Sequence, residues 1–270
     1  MTNWIGVPGA LAEFKCVSTE LLTVARVETP LITVGGYRSV QIGRRDLREW
    51  DVTIGVAEPW EVTALSSWSR RARPLAWVGE VAHRTNLLTP GEADMTLGSA
   101  ATTVVQDGAL PLADGRVAVR YAVGVSTGDY VSIASGASPV PVLPGRAVTF
   151  SVYASSLPGG VQPRMSIAWV DSLGNDIGSL TYSYGPSAAP IPERWARTLT
   201  PPSGAVGARF FVERFSRMAM PAVTWTGEAQ PWTDGRGVRS VYLGPVQEAP
   251  IMTAGRVLAS YSTRFMEVGD

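Results

Sequence analysis

The sequence predicts a mainly all-β protein. It predicts an N-terminal β-sandwich with one α-helix, completed by the C-terminal strand, plus an inserted jelly-roll β-sandwich. Three observations support this. Short runs of strand-forming residues recur between Pro/Gly turns. One stretch alone has helical spacing. The last strand needs a sheet to pair with, because a long free edge invites aggregation. The 270 residues suffice for about two domains.

The first segment, residues 1–85, is predicted to be β-rich. Residues 21–27 and 39–42 are strand formers, and Gly35-Gly36 between them signals a turn. Residues 50–56 alternate between apolar and polar side chains, so one face of this strand is expected to be buried and the other open. The residues expected on the buried face are Trp50, Val52, Ile54 and Val56.

The one predicted helix begins at Pro59, a residue suited to a first helical turn, and stops before Pro74. Apolar residues recur there at three- and four-residue spacing, namely Trp60, Ala64, Leu65 and Trp68. Three basic residues near the C-terminal end would favour the helix dipole, namely Arg70, Arg71 and Arg73. A strand at residues 75–78 follows.

The middle segment, residues 86–249, is predicted to form the jelly roll. It has many strands and turns but none of the crossover helices of a parallel sheet. After the stretch 86–90, the predicted strands are residues 117–123, 130–133, 147–153, 164–170, 195–199, 208–213 and 240–243. Residues 173–176 read as a hairpin turn.

The last segment alternates apolar and polar residues and reads as one long strand. The apolar set is Val257, Ala259, Tyr261, Thr263 and Phe265. The sheet around residues 50–56 is its expected host. The middle segment then becomes an insertion: one domain comprises residues 1–85 and 250–270, and the other residues 86–249.

Composition argues against several functional classes. The formal net charge is zero and charged residues make up 17% of the chain, so no overall electrostatic field is expected that would attract nucleic acid. Cys16 is the only cysteine, so no internal disulfide is expected. Without a secretory signal or a long apolar run, we expect a soluble chain made in the cytoplasm, with no membrane insertion.

No catalytic motif assembles, and the prediction is that the protein is not an enzyme. His83, the only histidine, is expected to be a surface or linker residue rather than a base. The G-x-S-x-G match at residues 124–128 continues into a strand, so it reads as a hairpin turn rather than a nucleophile elbow. Paired carboxylates of a glycosidase stay open, because such a pair can lie far apart in the chain.

No cofactor is expected. Residues 171–176 read as a hairpin turn, with a structural calcium as the alternative. Trp169 and Trp195 are expected in the core. Exposed aromatic side chains stack on sugars and anchor protein interfaces. The candidates for such glycan or partner contacts are Tyr182, Tyr184, Trp225 and Trp232.

Several stretches resemble a known family. Residues 144–153, 169–175, 194–197 and 201–209 are similar to carbohydrate-binding-module-type jelly rolls. Such modules appear in minor tail proteins of long-tailed phages of actinobacteria. The flanking residues 44–53, 86–90 and 261–269 are similar to those tail proteins, and the whole arrangement resembles distal tail proteins.

The resemblance implies a virion protein of the phage tail tip. Distal tail proteins form a ring, commonly sixfold, between the tail tube and the adsorption apparatus. The implied partners are further copies in a ring, the tail tube protein and other tail-tip proteins. Basic residues that could pair across subunits are Arg44, Arg45, Arg70, Arg71 and Arg73. The alternative is a module that binds host cell-wall glycans, and a glycan hydrolase is the least favoured. Ring order, neighbours and host receptor stay open.

Overall fold

A computed structural model describes residues 2–15, 17–25, 28–32, 38–42, 47–71, 73–96, 99–100, 102–134, 139–187, 189–253 and 256–268. The mainly all-β prediction is confirmed. The chain divides into two compact units, one formed by Met1–Gly6, Ala12–Trp77 and Ser240–Asp270, the other by Val7–Leu11 and Val78–Arg239. Whether residues 1–85 with 250–270 and residues 86–249 fold as separate domains stays a prediction. No described helix is long and apolar enough to cross a bilayer.

The first unit is built around an eight-stranded sheet. Its elements are β1 (Asn3–Val7), β2 (Ala10–Phe14), β3 (Val17–Ala25), β4 (Glu28–Ile32), β5 (Arg38–Ile42), β6 (Leu47–Ala57), α1 (Pro59–Trp68), β7 (Leu75–Val78), β21 (Val238–Leu243), β22 (Gln247–Thr253) and β23 (Arg256–Glu267). The strand order is β2-β1-β7-β21-β23-β6-β3, with β22 paired to β23, while β4 and β5 form a separate hairpin. The predicted Gly35-Gly36 turn lies outside the described residues.

The C-terminal strand pairs with the predicted host strand. β23 runs antiparallel to β6 and places Phe265 opposite Trp50. On the buried face of the sheet, Trp77 lies between these two rings, 4.7 Å from Trp50 and 5.0 Å from Phe265 between centroids. The predicted return of the chain end to the first sheet is therefore confirmed.

One position of the predicted alternation is wrong. Trp50, Val52 and Ile54 are buried as expected, but Val56 is 45% exposed and its neighbour Ala57 is buried instead. The pairing of β6 with β23 shifts register just beyond Ile54. A bulge adds one residue to one strand and thereby reverses which side chains face the core.

The helix prediction needs two corrections. Helix α1 ends at Trp68, so the exposed residues Arg70, Arg71 and Arg73 lie beyond it rather than in its last turn. Two short helices were also missed, α2 (Glu80–Thr85) and α3 (Pro90–Ala93). The signal for α3 was present, because Thr89 and Glu92 have the spacing of a capping box, and each side chain caps the other's backbone N–H.

The second unit is a two-sheet sandwich. Its strands are β8 (Ser99–Ala100), β9 (Thr103–Val105), β10 (Leu110–Pro111), β11 (Val117–Ala118), β12 (Tyr121–Val123), β13 (Tyr130–Ile133), β14 (Val140–Pro141), β15 (Val148–Ser156), β16 (Arg164–Val170), β17 (Asp176–Tyr184), β18 (Glu193–Leu199), β19 (Gly207–Glu213) and β20 (Phe215–Thr224). One sheet has the order β18-β15-β20-β12-β9, and the other β17-β16-β19-β13-β8 with β14 on β19. Buried aromatic side chains fill the space between them, with Phe150 5.4 Å from Phe210. Trp169 and Trp195 are buried, as predicted.

Two stretches assigned to the jelly roll are placed differently. Residues 240–243 lie in β21, which pairs with β23 in the first sheet, next to β7. Residues 86–89 form no strand. Asn86 is fully buried there, and its amide contacts the backbones of Leu88, Pro221, Val223 and Thr233. An amide that hydrogen-bonds this many backbone groups stabilises an irregular segment, because it takes the place of the backbone hydrogen bonds of a β-sheet.

Candidate functional site

The outward face of the six-stranded sheet carries a row of four side chains from four neighbouring strands. Tyr184 of β17 lies opposite Arg164 of β16, Arg164 opposite Glu213 of β19, and Glu213 opposite Tyr130 of β13. Adjacent strands lie about 4.8 Å apart, so this row spans about 14 Å. We call this surface the tyrosine face.

A second row runs beside the first on the same face. It consists of Tyr182, Ser166, Phe211 and Ser132, again from neighbouring strands in register. Strand alternation explains why these residues share one side: Met165, Ile167 and Trp169 of β16 point into the sandwich and are buried. The face therefore presents aromatic rings in both rows.

The three tyrosines of the tyrosine face are accessible. Tyr184 is 56% exposed, Tyr182 47% and Tyr130 39%. Tyr182 and Tyr184 lie on the outermost strand of the sheet, and Tyr130 lies three strands away. A planar ring with one accessible face can stack on the apolar face of another ring system.

A charged pair occupies the middle of the first row. Arg164 holds Glu213 through two hydrogen bonds, Nε to Oε1 at 2.9 Å and Nη2 to Oε2 at 2.7 Å. The hydroxyl of Ser166 donates to Oε1 of Glu213 at 2.7 Å. The guanidinium of Arg164 also lies over the ring of Tyr182, 4.7 Å from its centroid. These contacts hold one ring and one carboxylate in a defined arrangement.

The electrostatics keep this pair ionised. Partial burial raises the pKa of Glu213, but the hydrogen bonds from Arg164 and Ser166 outweigh it, and the net pKa lies below the ordinary value. The pKa of Arg164 is raised, first by its hydrogen bond to Glu213. A carboxylate paired in this way accepts hydrogen bonds and does not act as a proton donor near neutral pH.

The outward face of the five-stranded sheet is covered instead of open. Leu110, Leu112 and Ala118 of the hairpin β10–β11 pack on Tyr153 and Ala219. The hydroxyl of Tyr153 donates to Asp114 at 2.7 Å. Among the described residues, the tyrosine face is the outward face of the sandwich that presents three exposed tyrosines.

Of the four aromatic residues expected to make contacts, the structure brings Tyr182 and Tyr184 together and places the other two elsewhere. Trp225 is only 4% exposed, so the expectation that it is exposed is wrong. Its Nε1 donates to the carbonyl of Pro141 at 3.1 Å, and its ring stacks on His83 at 5.7 Å. Trp232 is half-buried, and its Nε1 donates to Pro221 at 3.1 Å.

The single histidine is not a surface residue. His83 lies in α2, is 4% exposed and packs between Trp225 and Glu80, whose Oε2 is 3.6 Å from Nε2. Burial lowers the pKa of His83, and the nearby Arg146 acts in the same direction. No serine or cysteine nucleophile contacts it among the described hydrogen bonds, so the structure shows no catalytic arrangement around it in the described residues.

The G-x-S-x-G match is a turn, but not a hairpin turn. It connects β12 of the five-stranded sheet to β13 of the six-stranded sheet. The carboxylate of Asp129 closes it by accepting from Ser126 N and Ser126 Oγ, both at 2.9 Å. The next described element after Ser126 is the strand β13, whereas a nucleophile elbow would require a helix there.

The acidic turn at residues 171–176 connects β16 and β17 as a hairpin, as predicted. Asp171 accepts hydrogen bonds from Leu173 N at 2.8 Å and Asn175 N at 2.9 Å, which lower its pKa. Asp176 pairs with Arg209 at 2.8 Å. Among the described residues no cluster of three acidic, His or Cys side chains has a geometry that could hold a metal ion.

The arginines proposed for subunit contacts are partly described. Arg70, Arg71 and Arg73 are exposed after α1, whereas Arg44 and Arg45 lie outside the described residues. A cleft of about 590 Å³ also lies on the first unit, lined by residues of β6, β23 and the segment after β21. Arg264 in this cleft is paired with Asp51 at 2.9 Å and Glu49 at 3.3 Å.

The sequence did not indicate the other six residues of the two rows, namely Tyr130, Ser132, Arg164, Ser166, Phe211 and Glu213. Their strands were predicted, and the alternation of β16 separates Arg164 and Ser166 from its apolar residues Met165, Ile167 and Trp169. This alternation could have indicated which side chains of β16 face outward. It could not indicate which strands become neighbours, because the register between distant strands is set by the folded sheet.

No protein-family model and no curated protein matches the sequence. Among solved structures, the chain is similar to the enzymatically active domain of bacteriophage CBA120 tailspike protein 4, with 15% identity, a TM-score of 0.36 and coverage of 59% of this chain and 23% of that one. It is also similar to the CBM22-1-GH10 modules of Clostridium thermocellum xylanase 10B, with 13% identity, a TM-score of 0.38 and coverage of 57% and 30%.

A further likeness is to a structure described as "CBM4 structure and function", with 13% identity, a TM-score of 0.26 and coverage of 54% of this chain and 87% of that one. The chain spans about a quarter to a third of the length of the first two proteins. At these TM-scores, none of the three likenesses assigns the chain a family or a function.

Proposed function

We propose that the second unit is a carbohydrate-binding module that uses the tyrosine face to bind a glycan. The observation that carries the proposal is the pair Tyr182 and Tyr184, both about half exposed and aligned on one side of β17. They lie on the open face of a sandwich whose other outward face is covered by a hairpin.

The chemistry of this face suits a sugar. Pyranose rings present apolar C–H faces that stack on tyrosine, and hydroxyls that need both donors and acceptors. Tyr182 and Tyr184 offer the stacking surfaces, and Arg164 and Glu213 lie within the same two rows to offer the polar groups. The paired state of Glu213 argues against its acting as a general acid, because a general acid needs a raised pKa.

Binding measurements on the whole chain test this proposal. The wild type is applied to a glycan array and to affinity gels containing hydroxyethylcellulose, arabinoxylan, mannan or polygalacturonate. We expect retention by at least one neutral polymer, and about tenfold weaker binding for Tyr184→Ala, which corresponds to about 1.4 kcal/mol. The double variant Tyr182→Ala/Tyr184→Ala should lose detectable binding.

A tyrosine on the other unit provides the control. Tyr242 is 37% exposed in β21, and Tyr242→Ala should bind glycan as the wild type does. Absence of any binding on the array and gels refutes the proposal. So does a double variant that binds as tightly as the wild type. Release of reducing sugar from a bound polymer would instead revive a hydrolase.

We also propose, as a second role, that the chain is a tail-tip component of a phage virion in which the first unit assembles into a ring. The sequence resemblance to distal tail proteins motivates this role. It is supported by the position of the second unit, which is inserted between β7 and β21, two neighbours in the first sheet. An insertion at adjacent strands leaves the host sheet intact. Further copies, the tail tube protein and other tail-tip proteins are the proposed partners.

Light scattering of the purified chain and mass spectrometry of purified virions test this second role. We expect a closed oligomer, a hexamer in the simplest case, and peptides of the chain in virions. Replacing Arg70, Arg71 and Arg73 together with serine should shift the oligomer toward monomer. A monomeric wild-type chain that is also absent from virions refutes the tail-tip role.

A further inference from the structure

The tyrosine face also carries residues that could orient and select a glycan. This inference rests on the proposed sugar binding and extends it from the two sequence-predicted tyrosines to the residues beside them. The starting observation is the first row, which reads Tyr184, Arg164, Glu213 and Tyr130 across four strands. Aromatic rings stand at both ends and a charged pair in the middle.

The row has the dimensions of an elongated binding site. Three strand spacings of about 4.8 Å separate Tyr184 from Tyr130, so the strands that carry the two tyrosines lie about 14 Å apart. Between them the first row carries no further aromatic side chain, only Arg164 and Glu213, which are hydrogen-bonded to each other. A short oligosaccharide can thus contact both tyrosines when it crosses the strands.

The charged pair presents donors and an acceptor in a fixed arrangement. Glu213 is fixed by three hydrogen bonds, two from Arg164 and one from Ser166. Each side chain is only about one-fifth exposed, 21% for Arg164 and 22% for Glu213, and neither can rotate without losing these bonds. The pair offers a carboxylate acceptor beside guanidinium donors, which complements two adjacent hydroxyls on one sugar ring.

The charge balance of the face indicates an uncharged ligand. Three arginines lie on these strands or directly after them in the described residues. Arg164 and Arg209 are paired with Glu213 and Asp176, and Arg214, which follows β19, lowers the pKa of Glu213 through its charge. A polymer that carries carboxylates would meet no unpaired cation at Arg164 or Arg209. It would also approach Glu213 and Asp176, so its charge would not be compensated.

We propose that the Arg164–Glu213 pair is the specificity-determining centre of this site. The pair hydrogen-bonds adjacent hydroxyls of a neutral sugar. Tyr130 supplies the stacking contact at the other end of the row, so the glycan lies across the strands. Tyr182, held under the guanidinium of Arg164, acts beside this path. The ligand class is thus an uncharged oligosaccharide.

Three variants of the whole chain test the proposal, measured by affinity gels and calorimetry with the same four polymers. Glu213→Gln keeps the size and one acceptor of the side chain but removes its charge, and it should weaken binding about tenfold. Tyr130→Ala should weaken binding of a long oligosaccharide about tenfold and leave a monosaccharide unaffected. Arg209→Lys, on the same face but outside the row, is the control and should change binding less than twofold.

The selectivity among polymers distinguishes two roles of Arg164 and Glu213, namely hydrogen bonding to sugar hydroxyls and positioning of the Tyr182 ring. If the pair hydrogen-bonds sugar hydroxyls, Glu213→Gln should change the ratio of affinities among hydroxyethylcellulose, arabinoxylan and mannan at least threefold. A uniform loss for all three polymers overturns the proposal. Melting curves verify that each variant folds. If Glu213→Gln does not fold, Arg164→Lys, which keeps the charge but not the bidentate geometry, replaces it.

The outcomes distinguish this inference from the proposed function. Loss of binding in Tyr182→Ala/Tyr184→Ala together with normal affinity and selectivity in Glu213→Gln and Tyr130→Ala refutes the inference alone. Preferred binding of polygalacturonate over the neutral polymers also refutes it. Wild-type binding by the double tyrosine variant refutes the proposed function.

Discussion

Replacing Arg239 by methionine tests the buried ion pair that closes the second unit. Arg239 donates from Nη1 to the carbonyl of Leu87 at 3.0 Å and from Nη2 to the carboxylate of Glu92. Their side chains are 4% and 11% exposed. Methionine fills much of the space of the arginine stem and removes both donors. The perturbation is thus mainly electrostatic.

The structure sets the expected magnitude. After the replacement, the N–H of Thr89 at 2.8 Å is the remaining hydrogen-bond donor to Glu92 among the described contacts. A buried charge left without its partner costs about 3–5 kcal/mol. Adding Glu92→Gln removes that charge while an amide oxygen still accepts from Thr89. The double variant should therefore recover about 2 kcal/mol relative to the sum of the single changes.

Urea unfolding followed by circular dichroism measures these differences in the free energy of unfolding. Arg217, exposed in β20, gives the matched control, and Arg217→Met should change stability by less than about 0.5 kcal/mol. A cost below about 1 kcal/mol for Arg239→Met would refute the reasoning. Strict additivity of the double variant would refute it as well, because coupled charges cannot be additive.

Three further outcomes are expected. Gly237→Ala should destabilise the fold by at least about 2 kcal/mol, because its Cβ would lie 1.8 Å from the Leu87 carbonyl oxygen, whereas Gly227→Ala, in open space, should be neutral in the same unfolding assay. Hydrogen bonds from neighbouring Arg and Tyr side chains lower the pKa of Asp114 from 3.8 to about 2. The stabilisation that these hydrogen bonds give the fold is present above the ordinary pKa of Asp114 and is lost as pH falls toward 2. The melting temperature of Asp114→Asn should therefore depend less on pH than that of the wild type between about pH 5 and pH 2. A parallel pH dependence in wild type and variant would contradict this. Trp225→Phe should lower the melting temperature through its lost hydrogen bond and leave glycan binding unchanged, and reduced binding with an unchanged melting temperature would return Trp225 to the binding surface.

The fold class could be predicted because it depends on local patterns. Alternation in β6 and β23 indicates which side of each strand is apolar, and the burial of Trp50 and Phe265 follows from it. The hairpin after Val170 depends on turn residues that are adjacent in sequence. Such features need no information about distant parts of the chain.

Part of the candidate site could be predicted from the sequence. The sequence predicts exposed aromatic side chains at Tyr182 and Tyr184, and both are accessible. It does not predict the strand β17, which aligns the two tyrosines on one face. Trp225 shows the opposite case. Its exposure depends on contacts with Pro141 and His83, which are 84 and 142 positions away, and no local pattern encodes them.

The sequence by itself determined the β class, the return of the chain end to the first sheet and the choice of two tyrosines as exposed aromatic residues. Only the tertiary structure decided that Arg164, Glu213 and Tyr130 complete their row, because cross-strand register joins residues up to 83 positions apart. It also decided which face of the sandwich stays open, because the hairpin β10–β11 covers the other one. Local alternation sets the side of a strand on which a residue lies, and long-range packing sets its neighbours.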